Sequence, residues 1–344
     1  MAQKRSYDTL QAGRAFAAIL VVLFHTSSTI FEDPKFWNAS VFGGLFNWGH
    51  AGVHFFFVLS GFIILSAHRN DIDRPERLGL YAWRRISRVY PAYWAVLIPI
   101  VAIYLAVPSI SKPELTAHSV VANSFLLVGL DNHASLAVAW TLFHEILFYA
   151  FFGLCIFNRR LGVAAMSAWL ILCLILKILG VETSYHLSSL NLLFAFGMGA
   201  FYIARKNILP APRLCAAVGT LAFIAVGLIE TATGWTEGLV YGACAMLVVA
   251  GLASAEALKP IKVPALLKLL GDASYSIYLV HYPALSVIAR VWRRFMPNMP
   301  VELAFAGVVA AAIFAGVAFH FIVERPLIAR LRDMSFRRNE TASA

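Results

Sequence analysis

Charge is scarce in this chain. Only 13% of its 344 residues are Asp, Glu, Lys or Arg, against about 25% in ordinary soluble domains. Apolar residues make up 60%, and mean hydropathy is +0.74. So few polar groups cannot cover a surface that faces water on all sides, which argues against a soluble enzyme and a disordered chain. Cysteine is sparse too. Cys155, Cys173, Cys215 and Cys244 lie in apolar stretches without CxxC or Cys/His spacing, which argues against a disulfide framework or a metal centre. No polar stretch is long enough to fold separately, and no internal repeat or low-complexity segment is visible. The expected organisation is one membrane-embedded domain over residues 1–333 and a polar, mobile tail over 334–344.

Long apolar runs fill the rest. Ten reach spanning length, roughly 17–25 residues: 14–31, 50–68, 89–107, 137–157, 161–180, 189–204, 214–230, 238–257, 272–290 and 303–323. An eleventh, Ser119 to Leu130, has only 12 residues and is expected to be re-entrant or interfacial. Lys4 and Arg5 precede the first run as in a signal peptide, yet Arg14 interrupts it and no small-residue exit follows. It is expected to stay as the first helix. With the N-terminus cytoplasmic, 22 basic residues fall inside and five outside, and Lys177 sits within a span. The expected fold class is therefore an all-α polytopic membrane protein of ten transmembrane helices, both termini cytoplasmic. The net charge of +10 then reflects loops facing anionic lipid rather than affinity for nucleic acid. Arg290, Arg293 and Arg294 are the exception, a basic cluster on the outer side.

Ionisable side chains inside apolar helices are costly and mark function by default. Arg14 and His25 are eleven residues apart, three helical turns plus about 20°, so they share one face about 16 Å apart. Snorkelling and an interhelical hydrogen bond are the structural alternatives for the two. In WTLFHEILFY, Glu145 lies at a depth similar to that of His25 and can pair with it, fixing the imidazole tautomer, whereas His144 points about 100° away. Ser60-Gly61 sits at the centre of the second run, where small residues allow close helix approach. His50 and His54, one turn apart near the outer surface, can line an entrance. Arg85 and Arg88, with Arg84 beside them, suit phosphate recognition or serve as ordinary cytoplasmic flanking charges. Pro91 is expected to open or kink the third helix. Ser274, Tyr278 and His281 form one polar stripe that either glues helices or lines a site. Glu324-Arg325-Pro326 reads as a charged helix stop.

Together, Arg14-x10-His25, FFFVLSGF, Arg85-x2-Arg88, WTLFHEILFY, SYSIYLVHYP and Glu324-Arg-Pro resemble the membrane-bound acyltransferase family 3 over Leu10 to Leu327. The opening looks most like the exopolysaccharide and O-antigen O-acetyltransferase branch. The resemblance implies an enzyme of the bacterial inner membrane that moves an acetyl group from acetyl-CoA to a hydroxyl of a polysaccharide or its lipid-linked precursor. It implies Arg14, Arg85 and Arg88 as the CoA-phosphate site, His25 as general base, and Glu145 as its partner. Ser60, Trp140, Ser274, Tyr278 and His281 are expected to contact substrate, with no metal. No Ser or Cys nucleophile constellation stands out, which favours direct transfer. Two alternatives stay open: a succinyl or longer-chain acyltransferase, and a transporter or flippase, which would leave its solute unchanged.

Overall fold

The computed structural model describes residues 7–107, 116–127, 136–181 and 183–332, so the tail expected over 334–344 lies outside the described residues. Among them every regular element is helical and no strand occurs. In hydrocarbon each backbone polar group must be satisfied within its own segment, and a helix does this for every long run here.

Helix α1 (Asp8–Phe24) continues through a π turn, His25–Phe31. The others follow as α2 (Ala51–His68), α3 (Leu78–Ala106), α4 (Ala117–Ser124), α5 (Trp140–Phe157), α6 (Arg159–Ile178), α7 (Leu192–Arg205) and α8 (Pro212–Thr233). Then come α9 (Gly238–Leu258), α10 (Ala265–Asp272), α11 (Ser274–Phe295) and α12 (Val301–Phe319), the last extended by a second π turn, His320–Glu324. Eight helical segments are long and apolar enough to cross a membrane. Segment Ser189–Arg205, which contains α7, is apolar but shorter, and α11 is long but polar. Each of the ten expected runs coincides with one of these helices.

Two boundaries differ most from the sequence reading. Helix α3 starts at Leu78, after a turn opened by Pro75, so Arg84, Arg85 and Arg88 lie within it rather than before it. Pro91 sits inside the helix and neither opens nor ends it. At the other end of the chain, Glu324-Arg325-Pro326 does not terminate α12, because the helical segment runs on to Arg332. The π turn interrupts the regular ladder just before Pro326, where a missing N–H would otherwise leave a carbonyl unpaired.

The eleventh run contains α4, eight residues and about 12 Å long, far short of the roughly 30 Å hydrocarbon core. Residues 128–130 of that run lie outside the described residues. A capping box of Thr116 and Ser119 starts α4. Three aromatic side chains of α3 satisfy the carbonyls at its end: Tyr93 Oη donates to Asn123 O at 2.9 Å, Trp94 Nε1 to Ser124 O at 2.7 Å, and Tyr90 Oη to Phe125 O at 2.9 Å.

Helix α2 is the most enclosed of the candidate spans, with 67% of its apolar window buried, whereas α6, α8 and α12 each bury 22% and present the apolar exterior. Its small residues explain this. A Cβ added at Gly61 would lie 2.1 Å from the Phe194 carbonyl oxygen, and one at Gly197 would lie 2.0 Å from that of Val58. Only glycine permits this α2–α7 crossing. Helix α1 lies between two apolar cores. Leu10, Ala17, Leu20 and Val21 join the main core, while Ala18 and Val22 join a smaller one with Ile277, Leu285 and Val308. Glu256 of α9 accepts from the first backbone N–H groups of α1, at 2.8 Å from Asp8 N and 3.0 Å from Thr9 N, and so fixes where α1 begins.

Candidate active site

Arg14 and His25 project from α1 toward the same neighbour, as their shared face requires. Arg14 Nε donates to Ser274 Oγ at 3.1 Å, and His25 Nδ1 lies 3.2 Å from His281 Nε2. Both partners belong to α11, so the two helices run parallel and are stitched at two levels. The α1 residues are about 16 Å apart along the axis and the α11 residues about 10 Å. The length of the arginine side chain makes up the difference.

Hydrogen bonding fixes the two imidazoles. His281 Nδ1 lies 2.6 Å from Tyr278 O and 3.2 Å from Ile277 O. Carbonyl oxygens only accept, so this nitrogen carries the proton, and Nε2 of the neutral ring is an acceptor. His25 Nδ1 in turn faces two acceptors, Val21 O at 3.0 Å and His281 Nε2 at 3.2 Å. It therefore carries the His25 proton, which leaves Nε2 with its lone pair. No hydrogen bond among the described residues engages that nitrogen. The His25 ring also meets the Tyr282 ring edge-on, with centroids 5.2 Å apart. His25 opens the π turn of α1, an irregularity often found at functional sites.

Glu145 does not pair with His25. Its Oε1 accepts from Ser60 Oγ at 3.2 Å and from the hydroxyl of Tyr149, one turn further along α5. The Tyr149 ring lies 5.7 Å beneath the Arg85 guanidinium, and Arg85 Nη2 reaches His68 Nε2 at 3.4 Å. His68 Nδ1 donates to Asp71 Oδ2 at 2.9 Å. A polar chain thus runs Asp71–His68–Arg85–Tyr149–Glu145–Ser60 and joins α2, α3 and α5. Arg88 is exposed and acts electrostatically on Arg14, as do Glu324, Glu145 and Asp272. None of the guanidiniums of Arg14, Arg85 and Arg88 has a carboxylate within 4.0 Å among the described residues. Arg85 Nε is buried without a partner there. Such a set of cations can take an anion from outside the chain.

The remaining candidates divide. Tyr278 commits its hydroxyl to Thr141 Oγ1 at 2.8 Å and Val138 O at 3.2 Å, which anchors the start of α5. Trp140 stacks near Tyr185 and packs edge-on against His144, whose Nδ1 bonds Asn191 Oδ1 at 2.8 Å. That group joins α5 to the connection between α6 and α7 rather than to the histidine pair. His50 bonds Glu230 at 2.7 Å, and Tyr241, on which His54 stacks, donates to the same carboxylate at 2.6 Å. Glu324, read from sequence as a helix stop, is 3% exposed and accepts from Ser276 at 2.6 Å and His320 at 2.7 Å. Its carboxylate acts on both Arg14 and Tyr275.

A cleft of about 620 Å³ opens at the opposite end from the three arginines. Thr29, Ile30, Asp33, Lys35 and Phe36 form one wall, and Tyr282, Ser286, Arg290, Arg293 and Arg294 form the other. The histidine pair lies between this cleft and the arginine cluster.

The exopolysaccharide production protein ExoZ of Rhizobium meliloti (strain 1021) is 31% identical over 305 residues, covering 84% of this chain and 93% of that protein. No solved structure matches the chain. The profile of the acyltransferase 3 family, described as an acyltransferase domain, matches residues 7–323, and the chain belongs to that family.

Proposed function

We propose that the protein is an O-acetyltransferase of the bacterial inner membrane, with ten spanning helices and both termini cytoplasmic. It transfers the acetyl group of acetyl-CoA to a hydroxyl of an exported polysaccharide or of its lipid-linked precursor. The observation that carries this reading is the unprotonated His25 Nε2, bracketed by guanidiniums without a carboxylate partner at one end and an open cleft at the other. The name of the similar rhizobial protein, an exopolysaccharide production protein, supports a glycan acceptor.

In this reading Arg14, Arg85 and Arg88 grip CoA phosphates at the cytoplasmic mouth, and the pantetheine arm extends along α1 over the roughly 16 Å to His25. His25 Nε2 removes the proton of the acceptor hydroxyl as its oxygen bonds the thioester carbonyl carbon. The carbon–sulfur bond breaks, the ester forms, and the imidazolium returns the proton to the CoA thiolate. His281 holds the His25 tautomer, the part first expected of Glu145. Glu145 instead joins Ser60 to Tyr149 and so supports the stacked Arg85. A reactive Ser or Cys is not required.

The test is transfer itself. Membranes containing the protein are given labelled acetyl-CoA, and glycans from cells with and without the gene are compared by mass spectrometry. The reading predicts an added mass of one acetyl group per modified sugar. A glycan of unchanged mass, with solute moved across the membrane, would favour transport.

A further inference from the structure

The three arginines at the outer end of α11 stand against the general rule that basic residues gather on the cytoplasmic side. Their position in the fold gives a reason. Arg290, Arg293 and Arg294 share one cleft with Lys35, so four basic side chains face a single carboxylate, Asp33. Arg293 is used structurally: it donates to the Phe36 carbonyl and lies 5.6 Å over the Trp37 ring. Arg290 and Arg294 are exposed and make no ion pair among the described residues. Lys35 contributes a fourth, exposed charge.

The cleft is not lined by the histidine pair itself but adjoins it along both helices. Thr29 follows His25 by four residues on the π turn, and Tyr282 follows His281 directly. The Tyr282 ring lines the cleft and also touches the His25 ring, at 5.2 Å between centroids. A molecule held among the arginines can therefore reach along both walls toward His25. Its lining has three parts: guanidiniums for an anion, the hydroxyls of Thr29 and Ser286 with Asp33 for sugar hydroxyls, and the Phe36 and Tyr282 rings for the apolar faces of a pyranose.

We propose that this cleft is the acceptor site and that it selects a saccharide carrying a negative charge, which Arg290 and Arg294 recognise. The charge is a carboxylate within the glycan repeat or the pyrophosphate of a lipid carrier. This assignment rests on the transferase reading for its role, while anion binding at the cleft stands on its own geometry.

The experiment uses the full chain in nanodiscs. Binding of a tetraglucuronide, of the neutral glucotetraose of the same linkage, and of a polyprenyl pyrophosphate is measured for the wild type and for R290Q/R294Q. CoA affinity is measured on the same samples. The tetraglucuronide or the pyrophosphate should bind about tenfold or more tighter than the neutral sugar, with affinity falling as salt rises. The double variant should lose that preference and keep its CoA affinity. Whichever anion binds tighter identifies the source of the charge. Equal binding of all three probes, or a preference that survives in R290Q/R294Q, overturns the proposal. If the wild type binds the anion but not CoA, the transferase reading fails while the anion site holds.

Discussion

His281 Nε2 accepts from His25 Nδ1 at 3.2 Å, and this contact, rather than a carboxylate, orients the His25 ring. The His281 side chain is 0% exposed, and its own Nδ1 is tied to the α11 backbone, so it offers one fixed acceptor. Substituting His281→Ala removes that acceptor. Transfer should slow by about ten- to a hundredfold through kcat, with KM for acetyl-CoA unchanged, because the loss is in orientation of the base. A His281→Gln variant keeps a side-chain acceptor and should recover part of the rate. Steady-state kinetics on both variants separates this from simple misfolding, which would lower the active fraction of each alike.

The arginine cluster makes a second prediction. Losing one charge-assisted contact costs about 1.5–3 kcal/mol, one to two decades in affinity. Arg88→Ala should therefore weaken CoA binding by that amount and leave thermal stability near wild type, since Arg88 is exposed. Calorimetric titration with CoA reads it. Unchanged affinity would remove Arg88 from the site.

Tyr149→Phe breaks the hydrogen bond to Glu145 while keeping the ring under Arg85. Stability should fall by about 1–3 kcal/mol, because Glu145 Oε1 loses a buried donor. CoA affinity should change less than in an Arg85→Ala variant, as the aromatic platform remains. Comparison of the two variants by thermal shift and CoA titration checks the ordering.

At the α2–α7 crossing, Gly61→Ala forces a methyl group against the Phe194 carbonyl. Overpacking of this kind costs about 1–3 kcal/mol. The folded yield in detergent should drop, and Ser60, next in sequence, should lose its alignment with Glu145. A monodisperse protein of wild-type melting temperature would contradict the crossing as described.

Orientation is open to cysteine labelling. With both termini cytoplasmic, a cysteine at Ala344 should react only with reagent delivered to the cytoplasmic side, and one at Arg294 only from the opposite side. The reverse pattern would invert the assignment of the CoA mouth and the cleft.

Much of this was legible in sequence because hydrocarbon imposes few rules. Ten apolar runs were found by length, and 100° per residue placed Arg14 and His25 on one face, where the structure indeed joins both to α11. Azimuth was the missing quantity. Glu145 was matched to His25 by depth along the membrane normal, yet depth says nothing about which way a side chain points. Ser60 and Tyr149 take the carboxylate instead, and the i, i+4 spacing of Glu145 and Tyr149 was the available signal. Glu324 was hidden by Pro326, which reads as a stop unless a π turn precedes it. The start of α3 differs for a related reason: a basic, amphipathic stretch extends the helix upstream of its apolar part.

The central claim is that His25 Nε2 is the base. The direct measurement is the rate of acetyl transfer by His25→Ala in membranes, with CoA affinity and folded yield determined on the same preparation. The account predicts wild-type CoA binding with transfer lowered by about 10²–10⁴-fold. A folded His25→Ala protein that acetylates at the wild-type rate would contradict it.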